Sequence, residues 1–270
     1  MMEFAWGAAA SAIGFLALWP ISLLRRDASV VDLWWGPGFV AFVAAAALAH
    51  HFGNRGEGAW GAHGVVAVAL MTLWAARLTW TMAARRARAG VEDPRYAELR
   101  AAWGAGWWWK SLFLVFALQA AIQSALAAPF AGVALAAPVA PGPLLILGVM
   151  VALSGLTVET IADTQLDRWS AANPDTLCVT GLRRLARHPN YAGEIIFWTG
   201  LALIGLESGA PWALLTPCLL AGLLGYVSGK PMTEARLARH PGWDAYAAAT
   251  PAFVPRRAAV LAAISTTAGR

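Results

Sequence analysis

Charged residues are scarce in this chain. Only 13% of its 270 residues are Asp, Glu, Lys or Arg, whereas 59% are hydrophobic. Soluble domains contain about 25% charged residues, so the composition excludes an ordinary soluble protein. It predicts an integral membrane protein instead.

Cysteine is almost absent as well. The chain has two cysteines, Cys178 and Cys218, and neither belongs to a CxxC pair. Two residues are too few for a disulfide framework, and the five scattered histidines do not have the spacing of a metal site. We therefore expect neither a disulfide-stabilised fold nor a bound metal ion.

Long apolar runs dominate what the chain does contain. A helix needs about 20 apolar residues to cross a bilayer. The runs cover residues 4–24, 33–51, 62–82, 107–128, 142–162, 192–207 and 211–229. The first run has no basic segment before it and no small-residue cleavage site, so we expect it to remain as a span. The sequence thus predicts one integral-membrane domain over residues 1–270, an all-α polytopic bundle of about seven transmembrane helices.

The distribution of basic residues predicts the orientation. If the N-terminus is outside and seven spans follow, the cytoplasmic segments hold 18 of the 20 Lys and Arg residues. By the positive-inside rule the C-terminus is then cytoplasmic, and the expected location is a bacterial inner membrane. The net charge of +5 follows from this topology and from attraction to anionic membrane lipids. It does not indicate a nucleic-acid partner.

The most polar boundary of an apolar run is the segment Arg-His-Pro-Asn-Tyr-Ala-Gly-Glu at residues 187–194. Pro189 suits the first turn of a helix, which places His188 at its cap. Asn190 and Glu194 are four residues apart and share a helical face. A helix N-terminus also favours an anion such as phosphate. The segment predicts a polar binding site, and the alternative is a polar cap that only begins the helix.

Ionisable residues also occur inside the apolar runs. Asp32, Arg77 and Glu159 are the candidates for catalysis on the substrate side, because charges within a membrane usually serve a function. Asp32 could instead cap the second span. Arg77 needs a partner, which could be Asp32, Glu159 or a substrate oxygen.

A polar stripe continues from the fifth run into the next loop. Asp163 lies one helical turn after Glu159, and Arg168 follows. Asp163 and Arg168 could bind a ribose or amide and a phosphate. The alternative is an internal salt bridge, for example between Asp163 and Arg187.

Two further segments carry charge outside the runs. Residues 92–95, Glu-Asp-Pro-Arg, predict a helix start, and Arg95 and Tyr96 are the best functional candidates of a segment that otherwise suits membrane anchoring. The tail after the last run predicts an amphipathic helix that could fold back over residues 187–194. Two of its basic residues, Arg256 and Arg257, are better explained as topology signals.

Together these motifs resemble the steroid 5-alpha-reductase superfamily, and within it the bacterial DUF1295 membrane proteins. The likeness covers roughly residues 25–256. Its motifs are 181–184 with 187–194, Glu92 to Tyr96, Gln119, Glu159 with Asp163 and Gln165, residues 228–231, and Tyr246 before residues 253–255. The 187–194 motif is also similar to that of isoprenylcysteine and phospholipid methyltransferases, which bind S-adenosylmethionine on a similar helical core.

The resemblance implies that NADPH is the cofactor and that the cytoplasmic ends of the later spans, within about residues 142–256, hold it. The matching cofactor positions are Asp163, Arg168, Asn190, Glu194, Lys230 and Tyr246. Arg187, His188, Tyr191 and Arg95 complete the candidate set. A Rossmann site is not expected, because Gly104-Ala105-Gly106 lacks both the further glycine and the preceding strand of a dinucleotide loop.

The implied activity is the reduction of an activated C=C bond in a lipid or steroid-like enone. The alternatives are a methyltransferase that acts on a lipid or prenyl group and a non-enzymatic lipid-binding membrane protein. The steroid enzymes polarise their substrate ketone with a Glu and a Tyr from early spans. We find no matching pair, and Glu57 falls in the predicted outer loop.

Overall fold

Helices make up nearly all of the described structure. A computed structural model describes residues 2–53 and 61–256, and these residues contain no β-strand. The α-helices are α1 (Met2–Arg25), α2 (Trp35–Gly53), α3 (Ala62–Ala89), α4 (Pro94–Trp103), α5 (Trp107–Ser111), α6 (Leu118–Ala134), α7 (Pro143–Ala172), α8 (Pro189–Glu207), α9 (Leu215–Gly222), α10 (Gly229–Leu237) and α11 (Trp243–Ala249). The predicted all-α membrane bundle is confirmed. Arg55, Glu57 and Arg257 lie outside the described residues.

Six helical segments within the described residues are long and apolar enough to cross a membrane. They are Met2–Arg25, Ala28–Gly53, Ala62–Ala89, Pro94–Ala134, Pro143–Ala172 and Pro211–Leu237. The remaining predicted run is α8, whose first turns include Asn190 and Glu194 and are therefore less apolar. The integral-membrane class is confirmed, whereas the number of crossings and the orientation of the termini stay predictions.

Several spans are longer than the apolar runs that predicted them. The segment Pro94–Ala134 continues through α4, α5 and α6 because a 3₁₀ turn at Gly104–Gly106 and a π-helix at Leu112–Ala117 join these helices. The segment Ala28–Gly53 begins with a 3₁₀ helix, Ala28–Trp34, that leads into α2. In the same way a π-helix at Leu223–Val227 joins α9 to α10.

The chain divides into two compact units. The first consists of Met1–Leu145 and Leu203–Thr216, and the second of Ile146–Ala202 and Pro217–Arg270. The second unit largely coincides with the predicted cofactor-binding half. A single domain over the whole chain stays a prediction.

In the first unit, α1 packs against α2 and α6. Phe15, Val31 and Phe116 are fully or almost fully buried in this core. Glu207, at the end of α8, connects this helix to the start of α3, because its carboxylate lies 2.8 Å from Nε2 of His63. It also accepts hydrogen bonds from the backbone N–H groups of Gly142, Leu144 and Leu145 at the start of α7.

Two predicted helix starts are confirmed, and both use proline. α4 begins at Pro94, and the side chain of Asp93 caps it by accepting a hydrogen bond from the N–H of Arg95. α8 begins at Pro189. Proline is favoured at a first helical position because its fixed φ suits the helix. The N–H that proline lacks would have no acceptor within the helix at that position.

Candidate functional site

Two helices of the second unit, α7 and α8, pack with their backbones in contact. A Cβ atom added at Gly155 would lie 2.3 Å from the backbone nitrogen of Phe197, and one added at Gly193 would lie 2.7 Å from that of Glu159. Only glycine fits at such distances. Gly155 of α7 is next to Phe197 of α8, and the later residue Glu159 is next to the earlier residue Gly193. The two helices are therefore antiparallel. Asp163, one turn beyond Glu159, is therefore level with the start of α8.

The first turn of α8 contains the polar part of the 187–194 motif. The carbonyl of His188 accepts a hydrogen bond from the N–H of Ala192 over 3.1 Å. The N–H groups of Asn190 and Tyr191 come before this first helical donor, Ala192, so they have no acceptor within the helix. The side-chain oxygen of Asn190 is buried and has no hydrogen-bond partner among the described residues. Leaving such an atom unpaired costs about 1–3 kcal/mol, so this turn is suited to a polar ligand that pairs with it.

One carboxylate holds the two residues that precede α8. Glu234 of α10 accepts a hydrogen bond from Nε of Arg187 over 2.8 Å, and the same oxygen lies 2.9 Å from Nε2 of His188. We call these three residues the Glu234 clamp. The guanidinium of Arg187 also donates to the carbonyl oxygens of Ala247 and Thr250. The clamp therefore fixes the entry into α8 to the C-terminal tail.

Backbone contacts extend this connection. The N–H groups of Arg187 and His188 donate to the carbonyl oxygens of Pro251 and Ala252, each over 2.9 Å. The hydroxyl of Tyr246 in α11 donates to the carbonyl of Arg183 over 2.7 Å. The tail thus folds back onto the motif, as its amphipathic sequence predicts.

Burial changes the acidity of two groups in this arrangement. Burial lowers the pKa of His188, although Glu234 acts in the opposite direction. Burial also raises the pKa of Tyr246 to about 12. Near neutral pH, His188 is therefore mostly uncharged, and its ring stacks on Tyr191 with centroids 5.2 Å apart.

The remaining candidate residues of the second unit differ in exposure. Asp163 and Glu159 are buried in α7, whereas Arg168 is exposed on the same helix. Lys230, at the start of α10, and Glu194, in α8, are half-buried. Arg168 and Lys230 are thus the accessible cations of the predicted cofactor set.

Three motif residues are held by contacts within the protein. The polar atoms of Arg187, His188 and Tyr246 bind Glu234, the tail and Arg183. These contacts position the first turn of α8, and a direct contact of the three residues with a cofactor stays a prediction. The partner of Arg187 in this clamp, Glu234, was missed because its pairing across 47 residues leaves no local signal.

A second polar cluster lies in the first unit. The hydroxyl of Tyr96 donates to one carboxylate oxygen of Asp32 over 2.8 Å, and Arg95 donates to the other over 3.0 Å. The side-chain N–H of Gln119 donates to the hydroxyl of Tyr96 over 3.3 Å. Arg95 also binds Asp93. The predicted cofactor residue Arg95 is thus occupied by two carboxylates, and the predicted catalytic residue Asp32 is joined to it.

This cluster corrects one sequence-based expectation and shows a pairing that the sequence does not predict. Asp32 is not the helix cap, because Asp27 caps the 3₁₀ helix that contains Asp32 by accepting a hydrogen bond from the N–H of Ser29. A carboxylate–tyrosine pair does exist in the N-terminal half, formed by Asp32 and Tyr96. The sequence singles out each residue separately, but their pairing depends on packing across 64 residues. The third catalytic candidate, Arg77, is half-buried in α3.

A family model described as "Protein of unknown function (DUF1295)" matches residues 18–250. The chain belongs to this family. The match includes the 187–194 motif, the Glu234 clamp and all of α11, so these features are part of the DUF1295 region. No curated protein matches the chain.

Proposed function

We propose that this DUF1295 protein is a membrane reductase that uses NADPH to reduce an activated C=C bond in a lipid or steroid-like enone. The observation that carries the proposal is the buried, unpaired side-chain oxygen of Asn190 in the first turn of α8. The resemblance of the surrounding motif to the steroid 5-alpha-reductase superfamily supports the choice of cofactor.

The residues of the second unit fit such a group. The side-chain oxygen of Asn190 can accept a hydrogen bond from a carboxamide N–H, and Asp163 lies level with this turn. Arg168 and Lys230 can balance phosphate charge, and the N–H groups at the helix start favour an anion. Bound NADPH would supply a hydride.

The protein must also supply a proton on the substrate side. Asp32, Arg77 and Glu159 remain candidates for orienting the substrate. In the first unit, Tyr96 and Arg95 donate hydrogen bonds to the two oxygens of the candidate residue Asp32. If Asp32 orients the substrate, Tyr96→Phe is expected to lower turnover and to leave NADPH affinity unchanged.

The cofactor assignment is tested by titrating detergent-solubilised protein with NADPH and following tryptophan fluorescence. Arg168→Ala and Lys230→Ala should each lose a charge-assisted contact worth roughly 1.5–3 kcal/mol, which is about ten-fold or more in affinity. Asn190→Ala should also weaken binding. Arg256→Ala is the matched control, because Arg256 is exposed and lies beyond α11.

The same titration with S-adenosylmethionine separates the alternatives. Binding of S-adenosylmethionine in place of NADPH would replace the reductase with a methyltransferase. Binding of neither would favour a lipid-binding protein without catalysis. Equal NADPH affinity in all variants would show that the first turn of α8 is not the cofactor site.

A further inference from the structure

An apolar groove runs between α2 and α3 in the first unit. Its volume is about 620 Å³, and its lining includes Pro37 and Ala41 of α2 and residues from Thr72 to Ala83 of α3. The hydroxyl of Thr72 donates to the carbonyl of Val68 in its own helix. That of Thr79 donates likewise to Ala75. The groove therefore has few hydrogen-bonding groups left and suits a hydrocarbon chain.

One end of the groove meets a polar pocket. This pocket has a volume of about 340 Å³ and is lined by Asp27, Arg86 and Val91 among others, and it shares Ala83 with the groove. Asp27 and Arg86 form an ion pair. The surrounding sequence adds Arg25 and Arg26 before Asp27, and Arg85 and Arg88 beside Arg86. The pocket is therefore in a region with an excess of positive charge.

The length of the groove matches half of a bilayer. Thr72 and Ala83 are eleven residues apart on one helix, which corresponds to about 16 Å along the axis. The hydrocarbon core of a bilayer is about 30 Å thick, so one leaflet contributes about 15 Å. Both helices belong to segments long and apolar enough to span the membrane. A chain that lies in this groove would reach from the basic end to the membrane centre.

We propose that the α2–α3 groove binds an anionic phospholipid, with one acyl chain along the groove and its phosphate at the Arg86 pocket. The apolar lining, the one-leaflet length and the positive charge at one end each match a different part of such a lipid. A zwitterionic lipid has the same chains but lacks the net charge that the basic end attracts. The site is independent of the proposed reductase activity.

The proposal is tested by native mass spectrometry of delipidated protein titrated with phosphatidylglycerol or phosphatidylcholine of identical acyl chains. Phosphatidylglycerol should bind more tightly. Ala76→Trp places a large side chain in the groove and should reduce retention about ten-fold or more. Leu73→Trp is the control, because Leu73 is exposed on the same helix but does not line the groove. Arg86→Gln should weaken phosphatidylglycerol about five-fold.

Each comparison can overturn part of the proposal. Equal binding of the two lipids would show that the charged end does not select an anionic headgroup. Equal retention by Ala76→Trp and Leu73→Trp would show that lipid does not occupy the groove. If Arg86→Gln does not fold because Asp27 loses its partner, the two lipids and the two tryptophan variants still decide both questions.

Discussion

Two glutamates, one in each unit, contact hydrogen-bonding groups from distant parts of the chain, but the groups that they contact differ in kind. Glu207 in the first unit accepts three backbone N–H groups at the start of α7 and pairs with His63. Among the described residues, the carboxylate of Glu234 in the second unit binds the side chains of Arg187 and His188. The first glutamate supplies acceptors that a helix start lacks, whereas the second holds two residues of the motif.

This difference in partners distinguishes the roles of the two residues: Glu207 stabilises a helix start, whereas Glu234 is part of the candidate site. Every residue except proline has a backbone N–H donor, so three contacts of Glu207 depend on where α7 begins, and its contact with His63 depends on the identity of that residue. The partners of Glu234 are motif residues, so a change at either end of the clamp should move the first turn of α8. Breaking the two arrangements in turn tests this distinction.

The largest effect is expected from Arg187→Ala. The variant removes the ion pair with Glu234 and leaves the carbonyls of Ala247 and Thr250 without their donor. Removing one partner of a largely buried pair costs about 3 kcal/mol or more. The measurement is the thermal unfolding of detergent-solubilised protein by circular dichroism, together with limited proteolysis of the tail, which should become faster.

The control for Arg187 is Arg184→Ala, because Arg184 is a nearby arginine that is exposed. It should unfold like the parent. Arg187→Lys should fall in between, since lysine keeps the charge but lacks the planar set of donors. Equal stability of Arg187→Ala and Arg184→Ala would contradict the importance of the clamp.

Local sequence signals predicted the elements of this protein better than their pairings. The apolar runs predicted the helices, and Pro94 and Pro189 predicted where α4 and α8 begin. The amphipathic tail predicted that α10 and α11 return to the motif. The contacts of Glu234 and Glu207 were not predicted, because each glutamate binds residues that lie 46 or more positions away in the chain, and local spacing gives no sign of such contacts. The pair of Asp32 and Tyr96 likewise required a tertiary register that spacing alone does not determine.

A smaller effect is expected at Glu207. Glu207→Ala removes the acceptor for three N–H groups and should lower the apparent melting temperature, though less than Arg187→Ala does. Glu207→Gln keeps a side-chain oxygen for the backbone donors and should restore much of the loss. At position 234, glutamine should recover less of the melting temperature that alanine loses, because the guanidinium of Arg187 needs a charged partner. Melting curves of the four variants test this, and equal effects of Gln and Ala at position 207 would contradict its role as a backbone acceptor.

The smallest effect is expected at Tyr246, where the sign of a pH dependence is also defined. Tyr246→Phe removes the hydrogen bond to the carbonyl of Arg183 and should cost about 1 kcal/mol. The pKa of Tyr246 is raised from about 10 to about 12 on folding, so the folded state keeps the phenol proton to higher pH. The contribution of this raised pKa to the free energy of unfolding is complete below about pH 10 and is lost as the pH rises toward about 12. The stability difference between the parent and Tyr246→Phe should therefore shrink across this interval.

Tyr226→Phe is the control, because Tyr226 is 87% exposed. A stability difference between the parent and Tyr246→Phe that stays constant with pH would show that the hydroxyl of Tyr246 does not link the tail to the residues before α8.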